Sequence, residues 1–537
     1  MSQATLTQSV GTAQKFVPLD FAATQRLPNW RQNLLASFTP GELGRIFADV
    51  TERYIAGLRD MTDDARAAAL LASAPVLTAT LPTLELALAL STESRTGIMV
   101  FSEEPEFAYL RGEKDSLPPA RNTAVFERTP KPRLPLRRSA QVTSWWTEWS
   151  RVPQTLISPD VMAISENPAL VASARECGQR IAFRHAGSFL AKARRLDRLA
   201  KHGVDVEAVA DGLTQRLTDL ELLEQPYATR ARKIVHALLM HALERSARDL
   251  SSFKNVKSLP ARLWSATGSL YSARATGLEV LRRGGEAVRF QHGGTHPFSE
   301  LSQLFSVVEL SVSSKFVMFT DGLAKLAAPT DPARHTKPWR TTSLVGGHGD
   351  PSIAPLSLDA PERSGRRRVI YAPTFLTGFR KHAMYSLSDP VYLDWQLRLA
   401  ETLSEMPLDL LCKPHPEGVF SGQRHPLADV APCTSAPFES TMAEADVFVF
   451  DRCSSTTFWR ALCTNRPVVL IPIGPPRFHS KAQQILERRC SVVEPWFDEK
   501  NLPRVDSELL ADAVLGGPGR VDAGEIRELF MGKSAAA

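Results

Sequence analysis

Short apolar runs that stop abruptly at polar residues recur through the second half of the chain. Leu408-Asp409-Leu410-Leu411-Cys412 stops at Lys413-Pro414-His415-Pro416, and Val447-Phe448-Val449-Phe450 stops at Asp451-Arg452-Cys453-Ser454-Ser455. Runs of this length predict strands buried on both faces of a parallel sheet. Val369-Ile370-Tyr371-Ala372 opens the series and Pro467-Val468-Val469-Leu470-Ile471 continues it. Upstream, Ala261-Arg262-Leu263-Trp264-Ser265 predicts a strand, Thr267-Gly268-Ser269 a loop, and the residues after it a helix to Arg283 that ends at Gly284-Gly285. Ala287-Val288-Arg289-Phe290 predicts the next strand, which stops at Gln291-His292-Gly293-Gly294. Together these segments form a β-α-β unit with polar, Gly-rich loops at its strand ends.

Elsewhere the period is helical. Residues 28–90 are rich in Ala and Leu, and the apolar stretch 67–90 is interrupted by Pro75, Pro82 and Glu85, so it predicts two core helices rather than a membrane span. Thr96-Gly97-Ile98-Met99-Val100-Phe101 predicts a strand, and residues 113–140, rich in Pro and Arg, an exposed connection. From 167 to about 250 the pattern is helical again. Ala231, Ile234, Val235, Leu238, Leu239 and Ala242 fall on one face, as in an ordinary packed helix. Gly, Pro, Ser and the cluster Arg366-Arg367-Arg368 mark 346–368 as a linker. A polar tail runs from 516 to 537, with mobile last residues expected.

With 537 residues the chain needs more than one core, and 43% hydrophobic against 23% charged is ordinary for a globular protein. The net charge of +6 comes from 64 basic against 58 acidic residues, with a pI near 9.0. This modest excess suits anionic substrates or an acidic membrane surface. No basic–aromatic interleaving points to nucleic acid. The six cysteines lack CxxC spacing, which argues against zinc and for a reducing compartment. Residues 1–17 show no basic start followed by an apolar run. The expected location is the cytoplasm, with peripheral membrane association compatible.

In an open parallel sheet, ligands bind at the carboxyl ends of the strands. Lys413, His415, Ser454 and Ser455 are therefore expected in one crevice, where a cation, an imidazole and two hydroxyls at a helix start suit a phosphate. The bland readings are a loop histidine between prolines and an ordinary Ser N-cap. His292 is the candidate base from the other side of the cleft, and Gly293 allows close backbone approach by a ligand; its bland reading is a turn that needs φ > 0. His296 and Glu300 are competing bases, Glu300 reading more simply as a solvated acid. No Asp-x-Asp pair sits in a suitable loop, so no metal is expected.

The set Gln291-His292-Gly293-Gly294, Tyr371-Ala372-Pro373-Thr374-Phe375, Lys413-Pro414-His415-Pro416 and Asp451 to Ser455 resembles, in order, the motifs of the CDP-glycerol glycerophosphotransferases. The His-Pro and Ser-Ser pieces also resemble bacterial polysialyltransferases and Kdo transferases. The Gln-His-Gly-Gly stretch with Glu309-Leu310-Ser311-Val312-Ser313 resembles surface-carbohydrate transferases encoded near nonulosonic-acid genes. The resemblance covers about 260–475. It implies an α/β, GT-B fold: two Rossmann-like domains facing a cleft, with helical N-terminal additions. The implied layout is an acceptor-side domain at 1–345 with a helical insertion at about 167–250, and a donor-binding domain at 369–515. It implies His292 and His415 as catalytic residues, with Lys413, Ser454, Ser455, Thr374 and Gly293 binding the donor. Gln291 stands where the glycerophosphotransferases carry Trp, and Arg452-Cys453 where they carry Asp-Tyr, which points away from CDP-glycerol. The expected function is transfer of a sialic, nonulosonic or Kdo-type sugar from a CMP-activated donor to a bacterial surface glycan or flagellin, with no further cofactor. The alternatives are a CDP-polyol phosphotransferase and a non-catalytic glycan-binding or assembly protein of the same fold.

Overall fold

The computed structural model describes residues 16–532 apart from 28, 120–158, 166, 198, 267–269, 301–304, 328–341, 361–364, 379–386 and 475–477. Most of the expected connection at 113–140, the loop Thr267-Gly268-Ser269, part of the linker, the residues before 16 and those after 532 lie outside that description.

The chain is an α/β protein with two parallel sheets. After a small pair, β1 (Phe16–Pro18) and β2 (Met99–Phe101), come β3 (Val161–Ala163), β4 (Ile181–Phe183), β5 (Arg262–Ser265), β6 (Glu286–Phe290), β7 (Lys315–Met318) and β8 (Ser343–Gly346). They form one sheet in the order β4-β3-β5-β6-β7-β8. The second sheet, in the order β10-β9-β11-β12-β13, contains β9 (Arg368–Tyr371), β10 (Asp409–Cys412), β11 (Val447–Phe450), β12 (Val468–Leu470) and β13 (Ser491–Val492). Every pairing in both sheets is parallel. All loops after the strands of one sheet therefore emerge on the same side. Each sheet reverses its strand order once, between β3 and β5 in the first and between β9 and β11 in the second. Such reversals open the crevices in which α/β sheets bind ligands.

The strands at 161–163, 181–183, 315–318 and 343–346 are three or four residues long and are not among the expected ones. Thus 167–250 is not purely helical: β4 lies inside it and completes the first sheet. The strand expected at 96–101 is shorter, because the helix Asp63–Thr96 continues to Gly97, which takes a left-handed C-cap (φ 70). That helix is one element, not two, despite Pro75 and Pro82. Packing holds it together: 89% of its most apolar 18-residue stretch is buried in protein. Just before Pro75, the buried guanidinium of Arg274 donates to the Leu70 carbonyl and, at 2.9 Å, to the Ser73 hydroxyl.

The segment expected as a tail also packs. The helix Gly524–Met531 returns to the first domain, where Thr320 donates its hydroxyl to the Leu529 carbonyl and Asp350 donates its amide to Phe530 (2.8 Å). Phe530 joins an aromatic cluster common to both sheets, with Phe298, Phe305 and Phe316 from the first domain and Phe448, Phe458 and Trp459 from the second. Full burial of one such side chain is worth about 1.5–3 kcal/mol. At the other end of the chain, Leu34 and Ala36 enter the second domain's core.

Candidate functional site between the two sheets

The loop after β6 reaches across to the loop after β11. Gln291 is fully buried and braces this loop at three points. Its Nε2 donates to Gly293 O (2.7 Å), its Oε1 accepts from Phe319 N (2.9 Å), and its own carbonyl accepts from Asn167 Nδ2 (3.1 Å). Asn167 also caps the helix Pro168–Glu176, accepting from Ala169 N. His292 is thereby presented, exposed, at the tip of a stiff turn.

Across the domain boundary, Thr295 Oγ1 donates to Cys453 O (3.1 Å) and accepts from Trp459 Nε1 (3.1 Å). His479 N donates to Phe298 O (3.1 Å), and the Phe298 ring stacks on Trp459 with centroids 4.2 Å apart. A Cβ on Gly294 would lie 2.2 Å from the Trp459 ring, so only glycine allows this approach. By contrast, a Cβ on Gly293 would meet nothing within 4 Å, and the residue has no positive φ, so neither packing nor backbone geometry requires glycine there.

These contacts enclose a cavity of about 180 Å³. The first domain contributes Asn167, Ala266, Gln291 to Gly294, Asp350 and Ser352, and the second contributes Thr456, Trp459 and Arg460. It lies at the β3/β5 reversal of the first sheet. His292 shares it with groups of both charge signs. Asp350 is oriented by accepting from Ser352 N (2.9 Å) and Ser352 Oγ (2.7 Å), and Arg460 is ion-paired with Glu439.

His296 does not compete well as the base. It stacks on Phe305 with centroids 4.0 Å apart, and burial, with the charge of His292 adding to it, pushes its pKa down to about 4. Glu300 lies elsewhere. It lines a much larger cavity, about 1140 Å³, with Thr39, Phe478, Arg488 and Ser491 at the β13 side of the second domain. None of the other candidate residues lines that cavity, so size alone does not mark the site here.

In the second domain, register places the candidate loops side by side. Tyr371 of β9 pairs with Cys412 of β10 and with Val449 of β11. Lys413 is buried, its amide donating to Tyr371 O (2.8 Å) and its Nζ to Pro414 O (3.2 Å); burial lowers its pKa. The His415 ring lies 4.9 Å from Phe375, and its Nδ1 accepts from Glu417 N (3.2 Å). That bond leaves Nε2 to carry the proton in the neutral ring, so Nε2 is a donor. Burial lowers the His415 pKa, an effect that the charge of Glu417 opposes and that of Lys413 reinforces. Ser455 is the N-cap of the helix Thr456–Leu462, accepting from Thr457 N (3.3 Å), so the cap reading of that serine holds. Lys413 and His415 follow β10, two strand spacings from the serines after β11, about 10 Å. His415 does not line the 180 Å³ cavity.

Asp451, quoted in the sequence only as part of a motif, is the hub of this side. Its buried carboxylate accepts from Tyr371 OH (2.6 Å), Tyr392 OH (2.9 Å) and Trp395 Nε1 (3.2 Å). Tyr392 OH in turn accepts from Thr374 N (2.9 Å), and Arg452 lies over the Tyr392 ring at 5.5 Å. The loop after β9 is held again at 377–378, where Asp389 accepts from Thr377 N (3.0 Å) and Gly378 N (2.7 Å). Asn167-Pro168 is a legible helix start; the roles of Asp350, Asp389, Tyr392 and Arg460 arise only when distant segments meet. Among the described residues no group of three or more His, Cys, Asp or Glu side chains is placed to hold a metal ion.

No family model matches the chain, and no curated protein matches it. Among solved structures, it is similar to CalG4, the calicheamicin glycosyltransferase, over 70% of this chain and 94% of that one, with 15% identity and a TM-score of 0.34. A likeness at that level carries no argument, and the functional reading rests on the sheets and side chains described above.

Proposed function

We propose that this protein is a GT-B-type glycosyltransferase that moves a sialic, nonulosonic or Kdo-type sugar from a CMP-activated donor to a bacterial surface glycan or flagellin. The observation that carries this reading is the docking of the His292 loop onto the Cys453–Trp459 segment, which puts an exposed imidazole in a cavity at the joint of two parallel sheets. A cavity of about 180 Å³ is smaller than the roughly 300–1,000 Å³ of typical ligand pockets. It suits the acceptor hydroxyl and the edge of a sugar ring, and the nucleotide extends over the strand ends toward His415.

In the proposed step the acceptor oxygen attacks the anomeric carbon and loses its proton to His292. The bond from that carbon to the phosphate oxygen breaks, and CMP leaves with the electron pair. His415, donating through Nε2, and the Lys413 ammonium stabilise the departing phosphate; Ser454 and Ser455 offer hydroxyls beside it. Donors placed where charge develops are commonly the largest catalytic contribution. Thr374, held by Tyr392, and Gly293, free of steric demand, border the donor path. The six free thiols fit the cytoplasmic location proposed with this reading.

Thermal shifts with CMP, CDP, UDP, GDP and ADP test the donor. A nucleotide at about 100 times its Kd stabilises by roughly 2.7 kcal/mol. Selective stabilisation by CMP or CDP that His415→Ala abolishes is the expected result, and a shift only with UDP or GDP removes the cytidine assignment. With a turned-over donor, His415→Ala lowers kcat about a hundredfold or more. A product that gains phosphate assigns the CDP-polyol alternative, and tight CMP binding with no turnover of any donor assigns the non-catalytic one.

A further inference from the structure

Outside the candidate site, the turn that follows the helix Ala186–Leu196 carries two leucines that the fold leaves in water. Leu196 is 54% exposed and Leu199 87% exposed. The turn is not loosely attached. Ser251 Oγ donates to Lys201 O (2.6 Å), Ser252 Oγ to Asp197 O (3.0 Å) and Asn255 Nδ2 to Asp197 Oδ2 (3.0 Å), which fixes it to the end of the helix Tyr227–Phe253. Lys192 Nζ donates to Ser258 Oγ (3.2 Å), joining the segment after that helix to the same surface.

Around the leucines stand Lys192, Arg195, Lys201, Lys254 and Lys257, all exposed except the half-buried Lys192. Their neighbours Arg194, Arg245 and Arg248 are ion-paired with Asp249 and Glu244. Among the described residues these five are not. The acid within the patch, Asp197, already accepts from Asn255. Apolar side chains left this exposed beside cations that have no ion pair among the described residues match an interface in which the leucines enter an apolar layer and the cations face anions at its edge.

We infer that this surface docks on an anionic lipid bilayer, with Leu196 and Leu199 entering the headgroup region and the five cations facing lipid phosphates. The turn after the helix Ala186–Leu196 is hydrogen-bonded to Ser251, Ser252 and Asn255, which lead into the amino end of β5, so it lies toward the edge opposite the loops that line the cavity. Docking there leaves the cleft open. The inference stands on the first domain's surface alone and does not depend on the donor.

The test is flotation of the full chain with vesicles of phosphatidylcholine alone or mixed with phosphatidylglycerol. The expected result is binding to the anionic vesicles only, weakened by salt. Each surface cation contributes about a fivefold factor in affinity, so Lys254→Gln with Lys257→Gln lowers binding by roughly twenty-five-fold. Leu199→Ser, at a site too exposed to disturb folding, lowers it as well while the thermal shift with nucleotides stays unchanged. Failure of the wild type to float with anionic vesicles, or equal flotation of all variants, overturns the inference. So does a concentration-dependent dimer in light scattering that Leu199→Ser abolishes, which assigns the surface to a second copy of the chain.

Discussion

The loops after β6 and β10 both present a histidine at a strand end, yet they are held in different ways. The 291–299 loop is a joint: Gln291 braces it within the first domain, while Gly294, Thr295 and Phe298 lock it to the second. Among the described residues, the 413–419 loop is anchored within its own domain, through Lys413, the His415–Glu417 bond and Val419 N to Leu376 O (3.1 Å). One loop therefore ties the proposed base to domain docking, whereas the other carries the proposed phosphate-binding histidine on a scaffold held by Asp451 and Asp389. A substitution in the first is expected to disturb stability and function together, and one at the tip of the second to disturb ligand binding alone.

The strongest way to break this picture is Asp451→Ala. Removing the carboxylate leaves Tyr371, Tyr392 and Trp395 with buried donors, a loss of about 3 kcal/mol or more. Denaturant unfolding should show that loss, together with weakened nucleotide stabilisation as Thr374 is released. A variant as stable as the wild type removes Asp451 as the hub. Next comes Gly294→Ala, whose methyl has to displace the Trp459 ring at the cost of about 1–3 kcal/mol. It should lower Tm and turnover together; a drop in turnover at unchanged Tm would mean that the loop is not a joint.

Opposite pH responses sharpen the comparison further. His296, under the first loop, has its pKa pushed from 6.5 down to about 4 by burial, so the unfolded chain takes up this proton first. Its share of stability is present above 6.5 and is lost as pH falls toward 4. Asp389, under the loop after β9, is raised from 3.8 to about 6 by burial, with its backbone hydrogen bonds opposing the shift. The folded chain therefore binds that proton first, and stability falls as pH rises from 3.8 toward 6. Unfolding midpoints across this range should lose the acid-side decline in His296→Phe and lose the opposing slope in Asp389→Asn. Identical pH profiles in wild type and both variants would refute the two assignments. The smallest effect belongs to Gly293→Ala. With open space around it and an ordinary φ, it should change stability by no more than about 0.5 kcal/mol. A larger loss would show that Gly293 does more in the free protein than its surroundings reveal, whereas weaker donor binding at unchanged stability would mark it as a donor-side residue.

Much of the second sheet is readable in the sequence because its strands are continuous apolar runs, the signature of burial on both faces. The same reasoning finds β5 and β6 but passes over β3, β4, β7 and β8. Those strands are three or four residues long; β3 and β7 lie in apolar runs no longer than four residues, Val161 to Ile164 and Phe316 to Phe319, and β8 holds two apolar residues between Ser343 and Gly346. The helix through Pro75 and Pro82 escapes a local reading for a related reason: local rules break a helix at proline, and only the surrounding core and Arg274 show why it persists. Among the candidate residues, the sequence singles out His292, Lys413, His415, Ser454 and Ser455 but leaves His296 and Glu300 as competitors. Stacking on Phe305 separates the first of these from His292, and placement by another cavity separates the second.

By itself the sequence determined which residues end strands, and hence that polar groups gather along the carboxyl edges of parallel sheets, because strand period and burial are local properties of the chain. Only the tertiary structure decided which of those edges meet. The Gly294–Trp459 contact, the Asp451 hub and the return of Gly524–Met531 to the first domain join residues far apart in sequence, and such contacts are selected by packing and by the satisfaction of buried hydrogen bonds rather than by any pattern along the chain.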